Sequence, residues 1–156
     1  MSRTVRLLTY NVFLRPPLIK NNADDFKDER LAGIVEHVLP KFDVLCLQEA
    51  FAGAGRRSRL IGAAERAGFL YHVRCRLGDS LDRGRLIDGG LVVLSRFPIV
   101  ASRCLFFSDA VDSDQLAAKG CLYAKILVGG GGADGAGGAF HLFTTHLQSS
   151  YETFDL

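Results

Sequence analysis

Three polar side chains stand where apolar runs end. CLQEAF (46–51) follows an apolar strand reading, Val44 to Gln48, with the carboxylate of Glu49. VRLLTYNV (5–12) carries Asn11 near its end, and the run from Ala139 closes at His146 in TTHLQ. A carboxylate at a strand end is solvated, tied in a local ion pair, or holds a metal or a proton. A histidine there is structural, or serves as acid, base or phosphate partner. Strand ends at one edge of a layered sheet can gather such groups, because a rigid scaffold holds them while they still reach solvent. The remaining histidines read as structural. His141 begins the strand that His146 ends, so the two do not share a zinc site, and His37 suits the C-terminal dipole of its helix.

The elements that must position these groups follow from pattern. Val5 to Val12 reads as a first strand. Asn22 offers a helix cap, with Asp24, Asp25 and Asp28 in the first turns, and Leu31, Ile34, Val35, Val38 and Leu39 form one helical face closed by Pro40. After the second strand, Gly53 and Gly55 break the chain, and RRSRLIGAAERAG reads as a second helix ending at Gly68, with RRSR (56–59) on its solvated face. Strands are expected at Phe69 to Cys75, 89–95, within IVASRCLFF after Arg96-Phe97-Pro98, and at Gly120 to Val128 and Ala139 to His146. Residues 76–88 and 108–118 read as loops, with Asp88-Gly89-Gly90 shaping a strand entry at the rim. GGGGADGAGG (129–138) reads as a flexible hairpin insertion. A βαβα start followed by hairpin-like strands predicts an α/β layered fold with a mixed or largely antiparallel sheet.

Bulk composition narrows the class. With 156 residues and 48% hydrophobic residues, one domain with a sizeable core is expected. A formal net charge of +2 lacks the electrostatic footprint of a nucleic-acid binder, so no nucleic-acid partner is expected. Cys46, Cys75, Cys104 and Cys121 are scattered without a CxxC and read as buried free thiols of a reducing compartment. The start MSRTVRLLTYN lacks a signal-peptide h-region, and no run approaches the ~20 apolar residues of a membrane span. The expected location is cytoplasmic or peripheral to a membrane.

The segments YNVF (10–13), CLQEAF (46–51), DGGLVVLSRFPI (88–99) and THLQ (145–148) occur in an order and at spacings that resemble the endonuclease/exonuclease/phosphatase family of metal-dependent phosphoesterases. LTYNVF, KGCLYAKI (119–126) and THLQSSY look most similar to its neutral sphingomyelinase branch. The resemblance runs from Leu8 to Tyr151. It implies part of a two-sheet α/β sandwich of the DNase I-like type. It also implies that Glu49 is a Mg2+ ligand (Mn2+ the alternative), that Asn11 lies beside metal and phosphate, and that His146 donates a hydrogen bond to a phosphoryl oxygen. Asp114 and Lys119 match an Asp–Lys pair that the branch carries in a loop over the active site; ordinary loop solvation is the other reading.

The family's Gly-Asp-Phe/Leu-Asn stretch and its Ser-Asp-His stretch, which holds the general base, do not occur in these 156 residues. General-base catalysis alone is worth about 10²–10⁴-fold. The expectation is therefore the N-terminal part of one phosphoesterase domain, residues 1–156. By resemblance the activity is hydrolysis of sphingomyelin to ceramide and phosphocholine, with a phospholipid partner at a membrane surface. A nuclease or inositol phosphatase of the same family, or an inactive binding module, are the alternatives.

Overall fold

Apolar residues on alternate positions of the first strand and on every early position of the second build a sheet that must be covered on both faces. The structure, a computed structural model, describes residues 4–16, 25–75, 87–108, 117–129 and 138–147. β1 (Leu7–Leu14), β2 (Val44–Ala50), β3 (Tyr71–Arg74), β4 (Ile87–Asp88), β5 (Val92–Ser95), β6 (Ile99–Phe106), β7 (Ala117–Ala118), β8 (Gly120–Val128) and β9 (Gly138–Thr145) are joined with two α-helices, α1 (Lys27–Gly33) and α2 (Arg56–Arg66). One sheet has the order β1-β2-β5-β3 and a second the order β6-β8-β9, with β4 and β7 forming a small parallel pair. β1 and β2 run parallel, and the other ladders of the two larger sheets are antiparallel. This is the expected two-sheet α/β sandwich.

Burial follows the pleat. Leu45 and Leu47 point to one face of β2, where Val12, Leu14, Val92 and Leu94 meet Leu31, Ile34, Leu39, Leu60, Ala64 and Phe69 from the helical side. Val44 and Cys46 point to the other, where Val93, Leu91 and Phe97 meet Leu122, Ala124 and Ile126 of the second sheet. β2, buried at every residue, is the strand both layers share. The outward face of the β6-β8-β9 sheet carries exposed Leu105 and Phe143, with Tyr123 donating to or accepting from His141 Nδ1 at 2.8 Å.

Several expectations are corrected. The first helix begins at Lys27, after Phe26 with φ 41°; the expected cap at Asn22 lies outside the described residues. Pro40 closes the helical run as expected, to within one residue, but the run is α-helical only over Lys27–Gly33 and goes on as a π turn (Ile34–Val38) and a 3-10 turn (Leu39–Lys41) before Phe42 turns extended. The loop 108–118 contains β7, because Ala117 and Ala118 find backbone partners in Ile87 and Asp88. RRSR is not wholly a solvated face. Arg57 is buried against Asp88, while Arg56 and Arg59 both reach Asp28 of α1 and hold that carboxyl down to about 2. The Gly-rich insertion lies outside the described residues apart from its two ends.

The reading of four free thiols is also overturned. Cys75 and Cys104 form a disulfide with Cα atoms 5.6 Å apart, joining the end of β3 to β6. Their distance in sequence, 29 residues, hid a pair that the facing sheet edges bring together. Cys46 remains free and buried, its thiol pushed up to about 11 by burial, and Cys121 is free. A chain-entropy estimate for a loop of that length gives about 3–4 kcal/mol. Denaturant unfolding with and without a reductant should differ by that amount, and Cys104→Ser should remove the difference. Equal midpoints would show that the bridge contributes nothing. Among the described residues no helix is long and apolar enough to cross a membrane.

Candidate active site

The β1–β2 register places Asn11 opposite Gln48, and both strands then depart from regular pleating. Phe13 has φ 51° and Glu49 φ 56°, left-handed values that side chains other than glycine seldom adopt. The ladder shifts register between Asn11 and Leu14, a bulge of the kind that re-aims side chains beside functional sites. Asn11 supports its own bulge, since its Oδ1 accepts the Phe13 backbone N–H at 3.1 Å.

Glu49 is 5% exposed and is the point on which the neighbouring groups converge. Asn11 Nδ2 donates to its Oε1 at 2.8 Å, and Arg15 Nε donates to its Oε2 at 2.6 Å. His146 Nε2 lies 3.7 Å from Oε1. Three of the five residues expected from sequence, Asn11, Glu49 and His146, are thus brought together, from three strand ends. The charge at the end of β2 is held against the Arg15 guanidinium and is not released to solvent.

Arg15 was not expected. It sits one residue past β1 before a proline pair, a context that carries no signal of its own in sequence. Gln48 and Thr144 were also missed. The Gln48 side-chain amide donates to Thr9 Oγ1 at 3.0 Å and to Thr144 Oγ1 at 3.1 Å, tying β1 and β2 to β9 two residues before His146. These bonds satisfy a buried amide and fix the approach of the two sheets at the site.

Lys119 is buried at the root of the 108–118 segment, and its Nζ donates to the Leu147 carbonyl at 3.1 Å, directly after His146. Thr145 Oγ1 donates to the Gly120 carbonyl at 2.8 Å, a second tie between the same segments. Asp114 lies outside the described residues. His141 lies in the middle of β9, paired with Lys125 and bonded to Tyr123, not at the far end of the strand as expected, and His72 lies 3.7 Å from Glu65. Asp88 is buried, with its carboxylate accepting from Arg57 and from the Gly90 N–H, a structural role at the entry to the strand.

The donor set bears on which metal could bind. Among the described residues no three His, Cys, Asp or Glu side chains cluster to hold a metal by themselves. That does not suit a closed zinc site, which needs four protein ligands. A single buried carboxylate beside an amide does fit Mg2+, which takes one or two carboxylates and completes its shell with water and phosphate oxygens.

Comparison with known proteins places the chain among its relatives. A sphingomyelinase of Dictyostelium discoideum is 30% identical over 97% of this chain and 52% of its own length. The crystal structure of sphingomyelinase C from Streptomyces griseocarneus superposes with a TM-score of 0.76 and 29% identity, over 97% of this chain and 51% of that one. A Staphylococcus aureus beta toxin with bound magnesium ions shares the fold, with a TM-score of 0.74 at 22% identity over 95% of this chain and 51% of that one. The chain thus spans about half the length of these proteins. Residues 8–150 match the Endonuclease/Exonuclease/phosphatase family, and the chain belongs to it.

Proposed function

We propose that residues 1–156 form the N-terminal part of a Mg2+-dependent phosphodiesterase of sphingomyelinase type, which releases phosphocholine from sphingomyelin and leaves ceramide. The observation that carries this reading is the convergence of Asn11, Arg15 and His146 on the buried Glu49 carboxylate. Glu49 would hold Mg2+, or Mn2+ in its place. When bound, that ion offsets negative charge on the phosphate oxygens. Asn11 orients the Glu49 carboxylate through its amide. His146 Nε2, on the same side, is placed to donate to a phosphoryl oxygen and to stabilise charge as it develops there. Arg15 balances the carboxylate and is a second cation within reach of a phosphate. Lys119 holds the backbone that follows His146, and with Asp114 it would form the loop pair of the sphingomyelinase branch.

The substrate class rests on the sphingomyelinases among the relatives and on the near-neutral charge, +2, which does not favour a nucleic-acid groove. Work at a membrane surface follows from a phospholipid substrate. The Cys75–Cys104 bridge supports an oxidising compartment in place of the cytoplasm. Phosphocholine release from sphingomyelin vesicles and nicking of plasmid DNA, each with and without Mg2+, test the reading. Mg2+-dependent phosphocholine release without nicking supports it. Nicking without phosphocholine release makes the protein a nuclease of the same family. Neither activity, with Mg2+ still bound, leaves a binding module.

A further inference from the structure

Glu49 should not point where it does. Strand side chains alternate, and Leu45 and Leu47 face the helices, so an unbroken β2 would send Glu49 into that apolar layer. Instead Ala50 takes the helix-facing place, and Glu49, at φ 56°, is turned to the side occupied by Asn11. A non-glycine residue persists in this region of backbone space only where its surroundings over-determine it.

The over-determination comes from the turn after β4. The Ala50 N–H donates to the Gly90 carbonyl at 2.9 Å. Gly90 is itself left-handed, φ 66°, and a Cβ added there would come within 3.0 Å of the Glu49 Cα and 3.1 Å of the Ala50 nitrogen. A side chain there would strain the left-handed backbone and push the Glu49–Ala50 backbone back by a few tenths of an ångström, which glycine avoids. The turn is in turn fixed by Asp88, whose Oδ1 accepts the Gly90 N–H at 2.9 Å and whose Oδ2 accepts from Arg57 Nη1 at 2.7 Å. Both side chains of this ion pair are under a tenth exposed, 8% for Arg57 and 9% for Asp88. Arg57 stands in the first turn of α2, the helix that β2 feeds through Glu49, so the pair closes a loop of chain around the carboxylate.

We propose that Arg57 and Asp88 are positioning residues for Glu49: through the Gly90 turn the buried pair holds the Glu49 backbone left-handed and thereby aims its carboxylate. Its consequence for metal affinity rests on the reading of Glu49 as a Mg2+ ligand; its consequence for the backbone does not. The hydrogen bonds of Asp88 go to Arg57 and to the Gly90 N–H, and those of the Glu49 carboxylate to Asn11 and Arg15, so the link from the pair to the carboxylate runs through the turn.

The test uses the full chain with two readouts: Mn2+ affinity by calorimetry, and hydrogen exchange of the Ala50 amide relative to core amides of β5. Arg57→Met and Gly90→Ala should speed Ala50 exchange at least ~10-fold beyond any global change and weaken Mn2+ binding about 10–100-fold, as loss of outer support at metal sites does. Arg57→Lys should recover most of both. If Arg57→Met lowers global stability while Ala50 exchange follows the core amides and Mn2+ affinity holds, the pair is merely structural and the proposal fails. Where Arg57→Met does not fold, Asp88→Asn, which keeps the acceptor for Gly90, decides by the same two readouts. If Glu49→Gln leaves Mn2+ binding unchanged, the metal reading is wrong, and Ala50 exchange alone then decides the positioning role.

Discussion

Glu49→Gln should abolish the stabilisation that Mg2+ confers on this chain. A ligand that binds only the folded state at about 100 times its dissociation constant raises stability by about 2.7 kcal/mol. The wild type should gain that much in saturating Mg2+, and the variant should gain nothing. Without metal the variant should start less stable than wild type, because Asn11 Nδ2 and Arg15 Nε meet different carboxylate oxygens and glutamine offers one acceptor for the two donors, so each protein's own gain on adding Mg2+ is what is compared. In a chain that turns over sphingomyelin, the same substitution should lower phosphocholine release about 10²–10³-fold, the loss typical when charge stabilisation is removed. Thermal or urea unfolding with and without Mg2+ checks the first expectation, and His141→Ala, in the middle of β9 beside Tyr123, is the control whose gain on adding Mg2+ should equal that of wild type. Equal Mg2+ responses in wild type and Glu49→Gln would take the metal away from this carboxylate.

The second large effect lies in the core. Leu45 is fully buried in β2, against the residues that α1 and α2 supply. Leu45→Ala should cost about 3–4 kcal/mol, within the usual range for such a truncation. Against a typical total of about 5–15 kcal/mol, that is a substantial loss. Leu105→Ala provides the contrast, since Leu105 is 66% exposed on the outward face of β6. Its cost should stay under about 0.5 kcal/mol, as for most surface substitutions. Urea unfolding of the two variants measures the difference, and comparable losses would mean that the outward face is buried in solution.

The fold and half of the site were legible for the same reason: apolar periodicity marks strands and helices, and polar groups interrupting it mark strand ends. That is why β2, β5, β8 and α2 fell near their expected limits and why Asn11, Glu49 and His146 stood out. What stayed hidden depends on pairs far apart in sequence. Cys75 and Cys104 meet only because β3 and β6 lie on facing edges of the two sheets. Arg57 reads as one more exposed arginine in RRSR until the chain folds Asp88 against it. The positive φ at Glu49 leaves no mark on its own residue type, and its only trace is the glycine pair 89–90, which sequence alone assigns to a strand entry. Arg15 and Gln48 are polar residues at unremarkable positions whose partners lie 34 and 96 residues away, Glu49 and Thr144.

The sandwich is fastened unequally along its two long sides. On the side of β3 and β6 the sheets are joined by a covalent bridge, Cys75 to Cys104. On the side of β1 and β9 the described residues join the sheets by polar ties, the Gln48 amide shared between Thr9 and Thr144 and His146 set 3.7 Å from Glu49. The bridge at one seam is covalent and opens only by chemistry, whereas the ties at the other are hydrogen bonds, each worth about 1 kcal/mol net. Those reversible ties stand beside Glu49 and two residues before His146, so the polar cluster sits at the seam that carries no covalent lock.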